Sequence, residues 1–175
     1  MTTVILLRPW VVFVGPGFVS GFVDMRIGLL ATVRDEVLSL PRFFRLLENI
    51  EADSRVDQLV CSFYENDSID DTPELLAAWL RPRSGTLQSV RTGYPRLRGR
   101  EIARTRHMAD ARNHALAALS DDRFDWLVVI DVDLYTKPTH IWQLIEVLQR
   151  DRSVVMACSS SLQNTPDIFG HGLWS

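Results

Sequence analysis

Apolar runs of strand length alternate along this chain with longer stretches of helical periodicity, and that alternation leaves few architectures open. The runs are Arg26 to Arg34, Val56 to Phe63, the weaker Thr86 to Thr92, Trp126 to Ile130 and Ser153 to Ser160. Each is short and carries β-branched residues, as buried strands do. Between them lies LPRFFRLLENIEA, where Pro41 suits a first turn and Phe43, Phe44, Leu46, Leu47 and Ile50 recur at helical spacing. TPELLAAWL follows, with Asp71 or Thr72 available as a cap and Pro73 at the first helical position. A third helix is predicted from about Arg100 to Leu119, and a fourth over THIWQLIEVLQ after Pro138. Strands joined by helices need right-handed crossovers, so the class is α/β with a mostly parallel sheet and helices on both faces. Ligands of such sheets sit beyond the carboxyl ends of the strands. Three runs end there in polar clusters, Arg34-Asp35-Glu36, Tyr64 to Ser68 and Asp131-Val132-Asp133, which should converge on one crevice.

Composition narrows this further. A chain of 175 residues that is 46% hydrophobic supports one core. Residues 26–175 read as that domain and residues 1–25 as an apolar extension. In Val4 to Val23 the apolar character is broken by Arg8, Pro9, Gly15, Pro16, Gly17 and Gly21. A spanning helix needs about 20 uninterrupted apolar residues, and the central Gly-Pro-Gly fits a signal peptide poorly. An irregular extension, a peripheral membrane-associating piece and sequence that never packs are the readings left, and the sequence leaves the location unknown between cytoplasmic and membrane-associated, Golgi-type for a eukaryotic chain with an anchor. A net charge of −3 and a pI near 5.8 leave no electrostatic footprint for nucleic acid. The arginines between Arg81 and Arg112 make at most a local basic patch. Cys61 and Cys158, each in an apolar run, read as reduced core thiols rather than as a disulfide or a thiolate metal site.

The chemistry concentrates at Asp131 and Asp133. Residues two apart in an extended segment share a side, so both carboxylates would point one way while Val132 faces the core. Two like charges that close suit a divalent cation, and Mg²⁺ or Mn²⁺ takes such oxygen ligands while keeping water and substrate phosphates. The plainer alternative is that one aspartate caps a turn or the helix after Pro138. In the helix before them, Met108, Ala111, Ala115 and Leu119 form an apolar stripe, and Arg104, Arg106 and Arg112 are either solvated or paired.

The order LLATVRDE, YENDSIDDT, ADARNHAL, VVIDVDLY resembles the nucleotide-binding half of GT-A glycosyltransferases. It is most similar to the fungal capsule-associated α-1,3-mannosyltransferase family, in which an E-x-x-S-x-D-x-T segment, an R-N-x-A-L helix and an acidic strand end follow in this order. The likeness covers about Arg26 to Ser161. It implies a GT-A, Rossmann-like fold, a nucleotide-sugar donor such as GDP-mannose or a UDP-sugar, Mn²⁺ or Mg²⁺, and a glycan or other acceptor. Residue by residue, it puts Asp131 and Asp133 at the metal and diphosphate, and Glu65 at the nucleobase with Ala31, Thr32 and Arg34 around it. Arg112 would reach the base or organise the acids. Ser68 and Thr72 would be structural, and Asp67 and Asp70 turn residues. His171, near Asp167, stands where a later His or acid often completes the metal shell.

The chain departs from that family in carrying DIFGHGLWS where a Y-D-x-W-like segment is common. It is also short for a GT-A enzyme, so truncation at the C-terminus is expected, and a donor-binding fragment, a truncated reading frame and a compact variant are the forms this could take. No catalytic base or nucleophile can be named. Two other readings compete: a module that binds nucleotide or metal without turnover, and a haloacid-dehalogenase-like phosphatase, against which stands Tyr135 where that motif has a small Thr or Val.

Overall fold

The structure, a computed structural model, describes residues 10–14, 24–96, 102–119, 124–150 and 156–158. Among these residues the strands are β1 (Trp10–Val14), β2 (Met25–Val33), β3 (Val56–Asn66), β4 (Gly85–Val90), β5 (Trp126–Ile130) and β6 (Met156–Cys158). The helices are α1 (Leu40–Glu51), α2 (Thr72–Leu80), α3 (Ile102–Ala117) and α4 (Pro138–Arg150). One sheet runs in the order β4-β3-β2-β5-β1-β6. Strands β4, β3, β2 and β5 are parallel to one another, as crossover helices require. β1 lies antiparallel between β5 and β6. The apolar N-terminal stretch therefore contributes a strand to the sheet instead of standing wholly outside it. VVFV is β-branched enough to pair once a neighbouring edge is available.

Strand alternation assigns the two faces. Ile27, Leu29, Ala31 and Val33 of β2 join one core cluster with α1, α2 and α4, whose Leu47, Leu76 and Ile145 are fully buried. Leu30, Val60, Tyr64 and Val129 face the other way and pack under Ala111 and Ala115 of α3. A fully buried aliphatic side chain contributes about 1.5–3 kcal/mol, so the larger cluster dominates the stability. On the α3 side Gly28 leaves room for a close approach: a Cβ there would stand 3.0 Å from the Phe124 ring, which would have to shift by a few tenths of an ångström.

Neither expected cap of α2 acts as one. Asp71 occupies the N-cap without a side-chain bond, and Pro73 and Glu74 supply the first-turn signals. The Thr72 hydroxyl has another task, described below. No helix among the described residues is long and apolar enough to cross a membrane.

Candidate active site

A cavity of about 710 Å³ opens at the carboxyl ends of the parallel strands, walled on one side by α3. Thr32 and Arg34 reach it from the end of β2, Tyr64 from β3, Tyr94 from the segment after β4, and Asp131 and Asp133 from the end of β5. This is where an α/β sheet of this kind binds ligands.

The two acids enter by a different route from the one expected. β5 stops at Ile130, and Asp131 to Leu134 form a turn closed by a bond from the Leu134 amide to the Asp131 carbonyl at 3.3 Å. The pair is thus presented by a turn and not by an extended strand, while Val132 is buried in the core between them. Arg112 of α3, only 5% exposed, donates through Nη2 to Asp131 Oδ1 at 2.8 Å. Burial pushes the Asp131 carboxyl above its ordinary range, Arg112 pulls it back, and the charge of Asp133 pushes it up again. Glu36 also lines the cavity, and burial, then the nearby Asp133, raise it too.

The strand-tip clusters are sewn together through backbone amides. Three successive amides after β2 find no partner in secondary structure, and three side chains of the loop after β3 accept from them. Asp35 N donates to Ser68 Oγ at 3.0 Å, Glu36 N to Thr72 Oγ1 at 2.9 Å, and Val37 N to Asp70 Oδ2 at 3.3 Å. Glu65 Oε1 accepts from the Ser68 amide at 2.9 Å, and the Ser89 hydroxyl bonds its other oxygen. In return Asp35 Oδ1 accepts from the Ile69 amide at 2.9 Å. Every defining residue of E-x-x-S-x-D-x-T thus satisfies an amide of one of these two loops, which fixes Arg34 and Glu36 at the cavity mouth. Asp35 and Asp67 both adopt left-handed backbone (φ 54° and 56°), a region a short acidic side chain tolerates.

Asp67 anchors the far wall. It accepts from the amides of Thr92 (2.8 Å) and Gly93 (2.9 Å), from Asn66 Nδ2 (3.0 Å) and from the Thr92 hydroxyl. This holds the segment bearing Tyr94, whose carbonyl accepts from Arg34 at 2.9 Å. Tyr94 stacks on His107 with centroids 3.8 Å apart, and Tyr64 on His114 at 5.3 Å, so two aromatic pairs line the α3 side. Neither histidine was marked by the sequence beyond its place on the R-N-x-A-L helix. Residues 107 and 114 are two helical turns apart, and that spacing was the available signal.

Of the residues singled out in the sequence, Thr32, Arg34, Asp131 and Asp133 line the cavity. Arg112 does not line it but holds Asp131. Ala31 and Glu65 depart from expectation: both are buried (0% and 2% exposed), neither is in the cavity wall, and both fall on the opposite face from Thr32 and Tyr64 by strand alternation. Alternation alone does not account for this, since Val33, on the same face as Ala31, reaches the cavity two residues further along β2. His171 and Asp167 lie outside the described residues. Among the described residues no three His, Cys, Asp or Glu side chains gather closely enough to hold a metal by themselves. Two carboxylates are nevertheless an adequate protein share for Mg²⁺ or Mn²⁺, which completes its shell with water and phosphate oxygens. The observation that fits a cation there is the presence of both carboxylates in one cavity wall, on a single turn, with only the Asp131 carboxylate held by an arginine among the described residues.

A sequence profile for Cryptococcal mannosyltransferase 1 matches residues 28–169, most of the chain. The chain belongs to this family. In the family's terms the E-x-x-S-x-D-x-T segment is the staple between two strand-tip loops, and the acidic strand end is the turn at Asp131. No protein of curated function matches the sequence. Among solved structures the chain is similar to mannosyltransferase PcManGT from Pyrobaculum calidifontis in complex with GDP-Man and Mn²⁺, at 21% identity over 81% of this chain and 36% of that one, with a TM-score of 0.43. A mycobacterial protein aligns at 18% identity over 82% and 47%, with a TM-score of 0.43. The S. aureus TarS fragment 1–349 aligns at 12% over 73% and 33%, with a TM-score of 0.39. The chain spans less than half the length of each.

Proposed function

We propose that this chain is the donor-binding part of a glycosyltransferase, with mannose carried on a nucleoside diphosphate as its first candidate donor. The observation that carries the reading is the pair Asp131 and Asp133 on one turn in the cavity, in a chain of a mannosyltransferase family. Asp131 and Asp133 would hold Mg²⁺ or Mn²⁺ against the donor's diphosphate. A bound cation of this kind supplies Lewis-acid neutralisation of the departing nucleoside diphosphate. Arg112 orients Asp131 and keeps its carboxylate ionised in a buried place. Thr32, Arg34 and Tyr94 form the wall against which the nucleoside end would lie, and the aromatic faces of Tyr64 and Tyr94 suit a planar base.

The test is titration of GDP-mannose, UDP-sugars and free nucleotides with and without Mn²⁺. We expect Mn²⁺-dependent affinity that falls at least about tenfold, or 1.4 kcal/mol, in Asp131→Asn and in Asp133→Asn, with slow hydrolysis of the preferred sugar nucleotide. Binding without turnover would make the chain a donor-binding module. Metal-independent binding, or an aspartyl-phosphate on Asp131, would overturn the proposal.

A further inference from the structure

We infer that Arg42 is a positioning residue for the acid pair, holding from α1 the turn that carries Asp131 and Asp133. Its Nη2 donates to the backbone carbonyl of Asp133 at 2.8 Å, across 91 positions of sequence. The same guanidinium lies over the Tyr135 ring, 4.6 Å from its centroid. Arg42 therefore grips the segment at two points, one on Asp133 itself and one two residues beyond it. The turn's own closure, the 3.3 Å bond from Leu134 N, is long, so the Arg42 brace on Asp133 complements the hold of Arg112 on Asp131 in fixing the relation of the two carboxylates.

The brace is itself fixed at its root. Arg42 sits in the first turn of α1, where its amide donates to the Ser39 carbonyl at 3.2 Å and the Ser39 amide to the Glu36 carbonyl at 2.9 Å. The Glu36 amide in turn is held by Thr72. A continuous set of hydrogen bonds thus runs from the loop after β3, through the loop after β2 and the start of α1, to the acidic turn. Planarity matters here, since one guanidinium must donate in its plane while stacking with its face. A lysine can keep the first contact but not the second in the same geometry.

The functional arm rests on the donor-site reading above, and the structural arm does not, so two measurements separate them. In Arg42→Met, hydrogen exchange of the peptide covering residues 131–137 should quicken about tenfold while the β2 and β3 peptides keep wild-type rates. Mn²⁺-dependent nucleotide affinity should fall about tenfold with metal-free nucleotide affinity unchanged, and Arg42→Lys should restore part of it. Wild-type exchange in the 131–137 peptide of Arg42→Met overturns the inference. So does faster exchange there with undiminished Mn²⁺-dependent affinity, because the brace would then position nothing. If Arg42→Met exchanges throughout, Arg42→Lys carries both measurements. If the wild-type chain shows no Mn²⁺-dependent binding, the donor-site reading fails and the exchange measurement alone decides the brace.

Discussion

Asp67 shows how a carboxylate in a functional loop can serve structure alone. Burial opposes its ionisation, but the bonds from Thr92, Asn66 and Gly93 outweigh that and hold it well below the usual carboxylate range. A folded pKa depressed in this way contributes stability that is present above the unfolded value near 4 and is lost as pH falls through the folded one. Asp67→Ala should cost about 3 kcal/mol, since it strands charged-acceptor bonds and puts a Cβ-only side chain at a left-handed φ. Asp67→Asn, which tolerates that backbone, should cost less at neutral pH and should flatten the fall in stability below about pH 4. Urea denaturation across pH 2–7 reads both, and equal acid slopes in Asp67→Asn and wild type would contradict the assignment. The sequence marked Asp67 as a turn residue. It could not reveal Thr92, because a partner 25 positions away on another strand's exit is a tertiary fact.

The loops after β2 and β3 behave as one element although each alone lacks regular structure. YENDSIDDT reads in sequence as a turn leading to a capped helix, and local chemistry favours that reading. The parallel pairing of β2 and β3, with Val33 opposite Glu65, brings the two exits side by side, and Thr72, one of the two residues expected to cap α2, serves the Glu36 amide instead. Thr72 is fully buried, so Thr72→Val keeps shape and removes only the acceptor for Glu36 N. A buried donor left unsatisfied costs about 1–3 kcal/mol. We expect that loss in chemical denaturation, together with faster amide exchange at residues 35–37; a loss below about 0.3 kcal/mol would show that the staple is dispensable. Helix identities and the parallel strands were legible because each has a strong period and a clean polar end. Ala31 and Glu65 are buried and outside the cavity wall, a placement that their motif positions do not announce.

Beyond single loops, the cavity gathers the ends of β2, β3 and β5, the segment after β4, and one face of α3, so a ligand that touches them all binds only the folded chain. The antiparallel β1 was the part of this assembly that sequence could not announce, since its apolar run is flanked by Gly and Pro and needs no crossover to join β5. Mass action predicts that Mn²⁺ with GDP at about a hundredfold over Kd adds about 2.7 kcal/mol. For a chain of this size that corresponds to a rise in melting temperature of roughly 5–10 °C, which EDTA should remove. On the donor-site reading the gain needs an ionised Asp131, whose folded carboxyl is raised by burial. On acidification the ligand-induced shift should therefore begin to fade at a pH above the ordinary carboxylate range. Replacing Arg112 by Leu removes the cation that opposes the rise, so the fading should start at higher pH still. It also leaves a half-buried carboxylate without its ion-pair partner, at a cost of about 1–3 kcal/mol to the unliganded fold. Asp131→Asn, in contrast, should cut the ligand-induced shift by about half or more, and equally at every pH, as a tenfold loss of affinity requires, so the two variants separate an acid that holds the ligand from an arginine that holds the acid.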